Sequence, residues 1–545
     1  MKKYTLALSL ILIINLGCMK MKEKVDLIIY NAKIYTVDSS FSIAESFAIN
    51  DGKFIAVGTT KEVSEKYYSE QAIDMQGQVI YPGFIDGHCH FYGYGSYKNA
   101  VNLKDVKSEE ELLQRVVEYS ENNESGWIRG RGWDQNIWES KEFPDNEKLN
   151  ELFPDRPVLL IRVDGHAVLV NQAAMDLVNP DADQIEDYLV LQDGEFRGVL
   201  IDNGADIFKD SAARLSSEEI TKALLIAQKD CFEVGLTSVS DAGLDQEVVQ
   251  VIVDLNKADT LHMRIYAMLN PNEENKQFVM ENGIYQTDQL HICSIKLYAD
   301  GALGSRGGCL LDPYADDKKN SGLILHDKDY YTDYCEFAYD HSYQVCTHAI
   351  GDSANRFVLD LYADFLGTKN DLRWRIEHAQ TVHENDFHKF ADYSIIPSVQ
   401  PTHATSDMGW VGKRLGEERI KNAYAYKRLM QQNGWISSGS DFPVESINPV
   451  FGFYSAIARK DQQGNPEHGF QMDNALTREE ALKAMTIWAA KANFEEEIKG
   501  SIEKGKWADF VVVDRDIMTA DESRIVNTQV LNTYLSGREV YTFEK

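Results

Sequence analysis

Eight short apolar segments in the middle of the chain alternate with stretches of helical periodicity. The segments cover residues 79–85, 236–239, 264–268, 292–297, 344–347, 373–376, 395–399 and 435–438. Helical patterns lie between them, among others at 223–233, 328–340, 384–393 and 423–433. Eight strand and helix units of this length predict an α/β fold with a closed, TIM-like (β/α)8 barrel. A doubly wound open sheet would show the same alternation and stays open as an alternative.

Short strands joined by turns are typical of both ends of the chain. Residues 25–78 and 495–545 each show this pattern, and each stretch is too small to form a core of its own. We expect the two stretches to pack together as one composite β-sandwich beside a barrel formed by residues 79–494. The gap between the first two barrel strands is too long for one connection, which predicts an inserted α+β subdomain at about 100–230.

The overall charge argues against two classes of partner. The chain of 545 residues carries 55 Lys and Arg against 86 Asp and Glu, which gives a formal net charge of −31. Such an acidic protein is not expected to bind nucleic acid, or an anionic membrane surface, through charge. The cysteines after Cys18 are scattered along the chain, and their spacing predicts neither a disulfide framework nor a structural zinc site.

The first 18 residues are typical of an export signal. Two lysines precede an apolar run at 6–16, which is shorter than the ~20 residues that span a bilayer. The run ends in Asn15-Leu16-Gly17-Cys18, which resembles a bacterial lipobox whose first two residues are unusual. We expect a signal peptide at 1–18, export to the cell envelope, and either a lipid anchor at Cys18 or a free periplasmic product.

Residues able to bind metal follow several of the apolar strands at their carboxyl ends. The first strand runs into His88 and His90, whose side chains would point the same way along an extended backbone. The fourth, fifth, sixth and eighth strands carry Lys296, His348, His378 and Asp441. Because the carboxyl ends of barrel strands converge on one face, the sequence predicts that these side chains form one site.

Five sequence runs resemble those of a known family. They are LYADGALGSRGG from Leu297, THAIGDSANR from Thr347, RIEHAQ from Arg375, SVQPTHATSD from Ser398 and GSDFPVE from Gly439. With the order HxH, Lys, His, His, Asp, they resemble the metal-dependent amidohydrolase superfamily, and within it the YtcJ-like, amidohydrolase-3 branch that includes N-substituted formamide deformylases. The runs GWIRGRGWDQNIW from Gly126 and RVDGHAVLVN from Arg162 are similar to the insertion of that branch.

The resemblance implies a catalytic centre with one or two divalent metal ions, with zinc as the expected metal. The implied ligands are His88, His90 and Asp441 for one metal and His348 and His378 for the other, with Lys296 bridging. In the family this lysine is carboxylated, which implies a carboxylated Lys296 here. Carbamate formation needs a neutral amine, and a neighbouring dication favours it by lowering the pKa of the lysine.

The implied reaction is hydrolysis of an amide or N-formyl carbon–nitrogen bond in a small organic substrate. Lys296 and Asp441 form the catalytic set, and Asp441 takes the proton of a metal-activated water and passes it to the leaving nitrogen. His403 and His166 are candidates for contacts to the oxyanion, and Arg306 for a contact to an anionic substrate group. His403 and His166 are equally interpretable as structural residues, and an arginine after a glycine-rich turn, such as Arg306, is more often a salt-bridged loop anchor.

Two other functions stay open at this point. The same centre could hydrolyse another electrophile, such as a lactone or a phosphoester, or the protein could be a non-catalytic binding lipoprotein. The expected partner is a small-molecule substrate, with the membrane contacted only through the anchor at Cys18. The oligomeric state stays open between a monomer and a homodimer.

Overall fold

The computed structural model describes residues 22–121, 123, 126–163, 165–213 and 215–544. The signal peptide expected at 1–18, with its anchor residue Cys18, lies outside these described residues. Among the helices of the described part, none is long and apolar enough to cross a membrane. The chain forms a barrel, a two-sheet β-sandwich and an inserted subdomain with a sheet of its own.

Eight parallel strands form the barrel in chain order. From one to eight they are Phe84–Cys89, Leu236–Leu244, Arg264–Leu269, Leu290–Tyr298, Gln344–Ala349, Arg375–His378, Ile396–Val399 and Ser437–Ser438. Just beyond strand eight, the backbone N–H of Asp441 donates to the carbonyl of His88 at 2.8 Å. The N–H of His90 donates to the carbonyl of Phe442 at 2.8 Å. These bonds join the last strand to the first, so the barrel prediction is confirmed and the open-sheet alternative is excluded.

Helices cover the barrel strands, whose residues are buried on both faces. All six residues of Phe84–Cys89 and of Arg264–Leu269 are buried, as expected for parallel strands that helices cover. The helices before and after the barrel strands are Phe91–Lys98, Ser217–Glu233, Gln246–Lys257, Glu273–Asn282, Lys328–Asp340, Asp352–Leu366, Phe387–Asp392, Pro401–Asp407, Val411–Arg419, Tyr426–Asn433, Pro449–Ala458, Arg478–Ala484 and Ile487–Ala492. Helices Ser217–Glu233 and Arg478–Ala484 begin at a capping box; before Ser217–Glu233, the Ser216 side chain accepts from the N–H of Glu219.

The two ends of the chain meet in one β-sandwich. One sheet has the strand order Lys53–Gly58, Ser46–Asn50, Leu27–Tyr30 and Ala72–Asp74. The other has the order Arg538–Thr542, Val530–Leu535, Phe510–Val513, Val79–Pro82, Lys33–Tyr35 and Ile43–Ala44. The ring of Phe510 lies 4.3 Å from that of Tyr534 and 4.9 Å from that of Phe47, between centroids. Both ends therefore contribute to a core that neither could bury alone.

The apolar run at 79–85, predicted as one barrel strand, is divided between two sheets. Val79–Pro82 belongs to the sandwich, where it pairs with Phe510–Val513, and Phe84–Cys89 is barrel strand one. Gly83 separates the two strands, and a Cβ on Gly83 would lie only 2.2 Å from the hydroxyl oxygen of Thr237. A glycine is required where the backbone approaches a neighbouring strand this closely. The barrel therefore begins at residue 84.

The subdomain inserted after barrel strand one has a mixed sheet of six strands. Their order is Val101–Asn102, Ile128–Trp133, Val158–Arg162, Ala167–Val170, Glu195–Ile201 and Leu189–Gln192. Its helices are Glu109–Glu121, Glu147–Leu152, Gln172–Val178, Ala182–Ile185 and Asp202–Ala213. Helix Ser217–Glu233, which falls within the expected insertion, packs instead on Phe91–Lys98, where a Cβ on Gly95 would lie 1.9 Å from the Ala223 carbonyl oxygen. The insertion thus ends before this helix.

Candidate metal centre and active site

The side chains predicted to bind metal lie at the carboxyl ends of the barrel strands. Strands one, four, five, six and eight, or the residues that follow them, supply His88, His90, Lys296, His348, His378 and Asp441. His88 and Lys296 are fully buried, whereas the side chain of His90 is 33% exposed. Since the carboxyl ends of parallel strands face the same side of a barrel, these side chains converge on its mouth.

Short distances join the side chains at the end of strand one to those of strand four and of the residues after strand eight. His88 Nε2 lies 3.4 Å from Lys296 Nζ and 3.5 Å from Asp441 Oδ1. The same Asp441 oxygen lies 3.2 Å from His90 Nε2. One carboxylate oxygen therefore faces two imidazole nitrogens from the same strand end.

His348 and His378 extend the cluster on its other side. The ring centroid of His378 lies 4.5 Å from that of His348 and 5.1 Å from that of His88. Within the described part of the chain, His348 Nε2 and His378 Nδ1 have no hydrogen-bond partner, although both atoms are buried. A buried polar atom is costly unless a partner occupies it, so these two nitrogens indicate a missing partner.

The donor set fits a divalent metal ion. One ligand atom each from His88, His378 and Asp441 lie within 4.8 Å of one another. Imidazole nitrogens and carboxylate oxygens are ligands that zinc and other first-row divalent metals prefer. The orphaned nitrogens of the two neighbouring histidines point to the same conclusion. The residues present can therefore hold a divalent metal ion.

The backbone takes unusual conformations where two of these residues follow their strands. The φ angle is 72° at His378, 42° at Ala379 and 64° at Asp441. Residues other than glycine populate this left-handed region sparsely. Such conformations persist only where the surrounding structure fixes them, and they concentrate at functional sites. Two of the clustered residues thus sit on strained backbone.

Lys296 lies in an environment that suits carboxylation. Its side chain is fully buried, and burial lowers the pKa of Lys296; Arg375 adds to this effect, while Glu377 and Asp441 oppose it. A lowered pKa enlarges the fraction of neutral amine, and only the neutral amine reacts with carbon dioxide. The burial of Lys296 is therefore compatible with the carbamate that the sequence resemblance implies.

His403 joins the cluster between two carboxylates. Its Nε2 lies 3.3 Å from Asp441 Oδ2, and its Nδ1 lies 3.4 Å from Glu445 Oε1. Burial would lower the pKa of His403, but Asp441 and Glu445 outweigh burial and raise this pKa to about 10. Each ring nitrogen of His403 therefore faces a carboxylate oxygen, and His403 contacts the cluster through Asp441.

The other two predicted substrate-binding residues lie on a turn of the insertion and in a loop of the barrel. His166 is exposed on a turn of the insertion. Arg306 lies in the loop after strand four, where its guanidinium pairs with Asp316 at 3.1 Å. Arg414 pairs with the same carboxylate. Arg306 therefore anchors a loop in this structure.

Two charged residues absent from the predicted site are buried beside the cluster. Arg375 and Glu377 of strand six are both 0% exposed and form an ion pair of 2.7 Å. Glu377 Oε2 accepts a hydrogen bond from His88 Nδ1 at 2.5 Å. Burial would raise the pKa of Glu377, but Arg375 and then His88 lower it to about 2. The sequence does carry a signal for this pair: Arg375 and Glu377 are charged residues in a strand predicted to be buried on both faces. A charge buried there needs a partner of opposite charge or a hydrogen-bond partner.

Comparison with known proteins places the chain in a family. Residues 71–541 match the model of the amidohydrolase family, Amidohydro_3. YtcJ of Bacillus subtilis (strain 168) is 30% identical over 93% of this chain and 98% of its own length. N-substituted formamide deformylase of Arthrobacter pascens is 26% identical over 95% of this chain and 98% of its own.

A solved structure shows the same architecture. The crystal structure of an uncharacterized metal-dependent hydrolase from Pyrococcus horikoshii OT3 matches with a TM-score of 0.78 and 27% identity, covering 91% of this chain and 99% of that one. The family match spans most of the chain, so the predicted family and enzyme class are confirmed. The chain belongs to the amidohydrolase family and is a metal-dependent hydrolase that acts on carbon–nitrogen bonds.

Proposed function

We propose that this protein hydrolyses an amide or N-formyl bond of a small organic substrate at the mouth of the barrel. The observation that supports this most directly is the cluster of His88, His378 and Asp441, whose ligand atoms lie within 4.8 Å of one another. A centre with several protein ligands at the open face of a barrel is the arrangement of a catalytic site. We take zinc as the metal because imidazole nitrogens dominate the donor set.

The side chains of the cluster have distinct roles in this proposal. A divalent metal, when bound, supplies a Lewis acid that polarises the substrate carbonyl and makes water more acidic. Asp441 accepts the proton of the attacking water and delivers it to the leaving nitrogen. His403 holds Asp441 Oδ2 at 3.3 Å, which keeps the carboxylate in one orientation towards His90. Lys296, as a carbamate, completes the ligand set.

One relative supports the choice of an amide or N-formyl bond. N-substituted formamide deformylase of Arthrobacter pascens is similar over 95% of this chain. Its name describes removal of a formyl group from a substituted nitrogen, which is hydrolysis of a carbon–nitrogen bond next to a small carbonyl. We therefore place N-formyl and N-acyl amines first among the substrates to be tested.

Metal content is the first test of this proposal. Purified wild-type protein is expected to contain about one or two zinc ions per chain by elemental analysis. Lys296→Ala is expected to contain less, since it would lack one of the residues proposed to hold the metal. Lys499→Ala is the matched control, because Lys499 is also buried in the barrel, at 3% exposure, but pairs with Glu495. Its zinc content should equal that of wild type.

A substrate panel tests the reaction itself. We expect hydrolysis of N-formyl or N-acyl amines, and we expect a metal chelator to abolish it and added zinc to restore it. Lactones and phosphoesters belong in the same panel, because the same kind of centre can act on them. Turnover of lactones or phosphoesters alone would refute the proposed bond type, and a wild-type protein unable to take up metal would refute the mechanism.

We also propose that the protein is exported and anchored through Cys18. The support is the sequence of residues 1–18 alone, with its apolar run and terminal cysteine. In a bacterial host, the wild-type protein is expected in the membrane fraction and labelled by radioactive fatty acid, whereas Cys18→Ala should be unlabelled and soluble. Wild-type protein that is itself unlabelled and soluble would contradict the anchor.

A further inference from the structure

A chain of polar contacts leads from His88 away from the cluster and into the barrel interior. Glu377 Oε2 accepts from His88 Nδ1 at 2.5 Å, and Glu377 Oε1 pairs with Arg375 Nε at 2.7 Å. Arg375 in turn donates to Asn493 Oδ1 at 3.3 Å, directly after helix Ile487–Ala492. The side chains of His88, Glu377 and Arg375 are all 0% exposed, so water cannot replace these contacts.

The bond to Glu377 determines which ring nitrogen of His88 carries the proton. An ionised carboxylate can only accept, so Nδ1 must be the protonated nitrogen. In the neutral ring, Nε2 then keeps its lone pair. Nε2 is the atom that lies 3.4 Å from Lys296 Nζ and 3.5 Å from Asp441 Oδ1. The lone pair is therefore presented to the centre of the cluster.

Arg375 explains how a carboxylate can be kept in this position. A buried charge without a partner is strongly destabilising, and a planar guanidinium supplies both the opposite charge and fixed donors. Besides Glu377 and Asn493, Arg375 contacts Cys346 Sγ at 3.2 Å and lies 5.4 Å from the centroid of the Tyr266 ring. These contacts hold the guanidinium beside Glu377 Oε1.

We propose that Glu377, held by Arg375, is a positioning residue that fixes His88 in one tautomer and one orientation for metal binding. This inference rests on the metal site of the proposed function and adds to it a group that acts through His88. Partners that orient a metal-binding histidine in this way typically change metal affinity by about 10–100-fold when they are replaced.

The test is the zinc affinity of metal-free protein, measured by competition with a chelator. Glu377→Gln keeps the shape of the side chain, but its amide can donate as well as accept and so permits either tautomer of His88. We expect Glu377→Gln to bind zinc about 10–100-fold more weakly than wild type. Its cobalt-substituted form should show a changed visible absorption spectrum, because the ligand geometry changes with the ring.

Glu495→Gln is the matched control. Glu495 is also buried in the barrel and has the same kinds of partner, with Lys499 at 2.7 Å and His291 Nδ1 at 3.6 Å. Since these partners do not belong to the cluster, this variant should keep the zinc affinity and cobalt spectrum of wild type. Arg375→Lys keeps the charge but loses the Nε atom that pairs with Glu377, and a smaller loss of affinity is expected. If Glu377→Gln does not fold, the zinc affinity of Arg375→Lys tests the proposal instead.

The outcomes separate this inference from the proposed function. Wild-type zinc affinity and an unchanged cobalt spectrum in the folded variants would overturn the positioning role and leave the proposed function standing. An equal loss of affinity in Glu495→Gln would also overturn it, because the effect would then come from general weakening of the barrel. Wild-type protein that binds no metal would refute the proposed function itself.

Discussion

Asp441→Asn is expected to lower kcat/KM for hydrolysis of the carbon–nitrogen bond by about 10²–10⁴-fold. The amide has the size of the carboxylate, but it cannot take up the proton of the attacking water. It also replaces an acceptor with a possible donor next to His90 and His403, whose Nε2 atoms lie 3.2 and 3.3 Å from Asp441. Steady-state kinetics with the most active substrate of the amine panel measures the effect.

Asp316→Asn is the control for this loss of activity. Asp316 is a carboxylate of the loop after strand four, and it pairs with Arg306 and Arg414. Because it is not part of the cluster, its replacement should leave kcat/KM near the wild-type value. Circular dichroism establishes that both variants are folded. A folded Asp441→Asn with wild-type kcat/KM would show that another group carries the proton.

Arg264→Ala is expected to lower the free energy of unfolding by about 3–5 kcal/mol. Arg264 of barrel strand three donates to Asp509 through Nε at 2.6 Å and Nη2 at 3.0 Å. Their side chains are 4% and 5% exposed, and Asp509 directly precedes the sandwich strand Phe510–Val513. The substitution leaves the Asp509 carboxylate buried without its cation and removes a link between barrel and sandwich. Urea denaturation followed by circular dichroism measures the change.

Lys24→Ala provides the comparison for an exposed ion pair. Lys24 and Glu70 also lie 2.8 Å apart, but their side chains are 59% and 80% exposed. Water screens such a pair, so its loss should change the free energy of unfolding by only about 0–1 kcal/mol. If Arg264→Ala and Lys24→Ala lowered the free energy of unfolding equally, burial would not be the reason why the Arg264–Asp509 pair stabilises the protein.

Local patterns were sufficient to predict the barrel and to group its candidate site residues. Strand five, expected at 344–347, is Gln344–Ala349, and strand seven, expected at 395–399, is Ile396–Val399. Strand length and apolar periodicity are properties of a few neighbouring residues. They can therefore be predicted from the local sequence, with no knowledge of contacts between distant residues. The convergence of strand ends then relates His88 to Lys296, although 208 positions separate them.

The partners of buried charges were decided only by the tertiary structure. Glu377 lies one position before a predicted metal ligand, yet its partner His88 is 289 positions away. Nothing near His403 in the sequence shows that Asp441 and Glu445 lie beside its two ring nitrogens. The separation of the sandwich strand from barrel strand one at Gly83 likewise involves a distant residue, because Thr237 of strand two leaves no room for a side chain at position 83.

The order of the strands, the residues at their ends and, through the motifs, the family follow from the amino-acid sequence. Which of those residues touch follows from the fold, because contacts between strands depend on how the sheet closes and on the direction of each side chain. A buried charge is stable only when such a contact supplies its partner. For that reason the Arg375–Glu377 pair could be recognised only after the barrel had placed it beside His88.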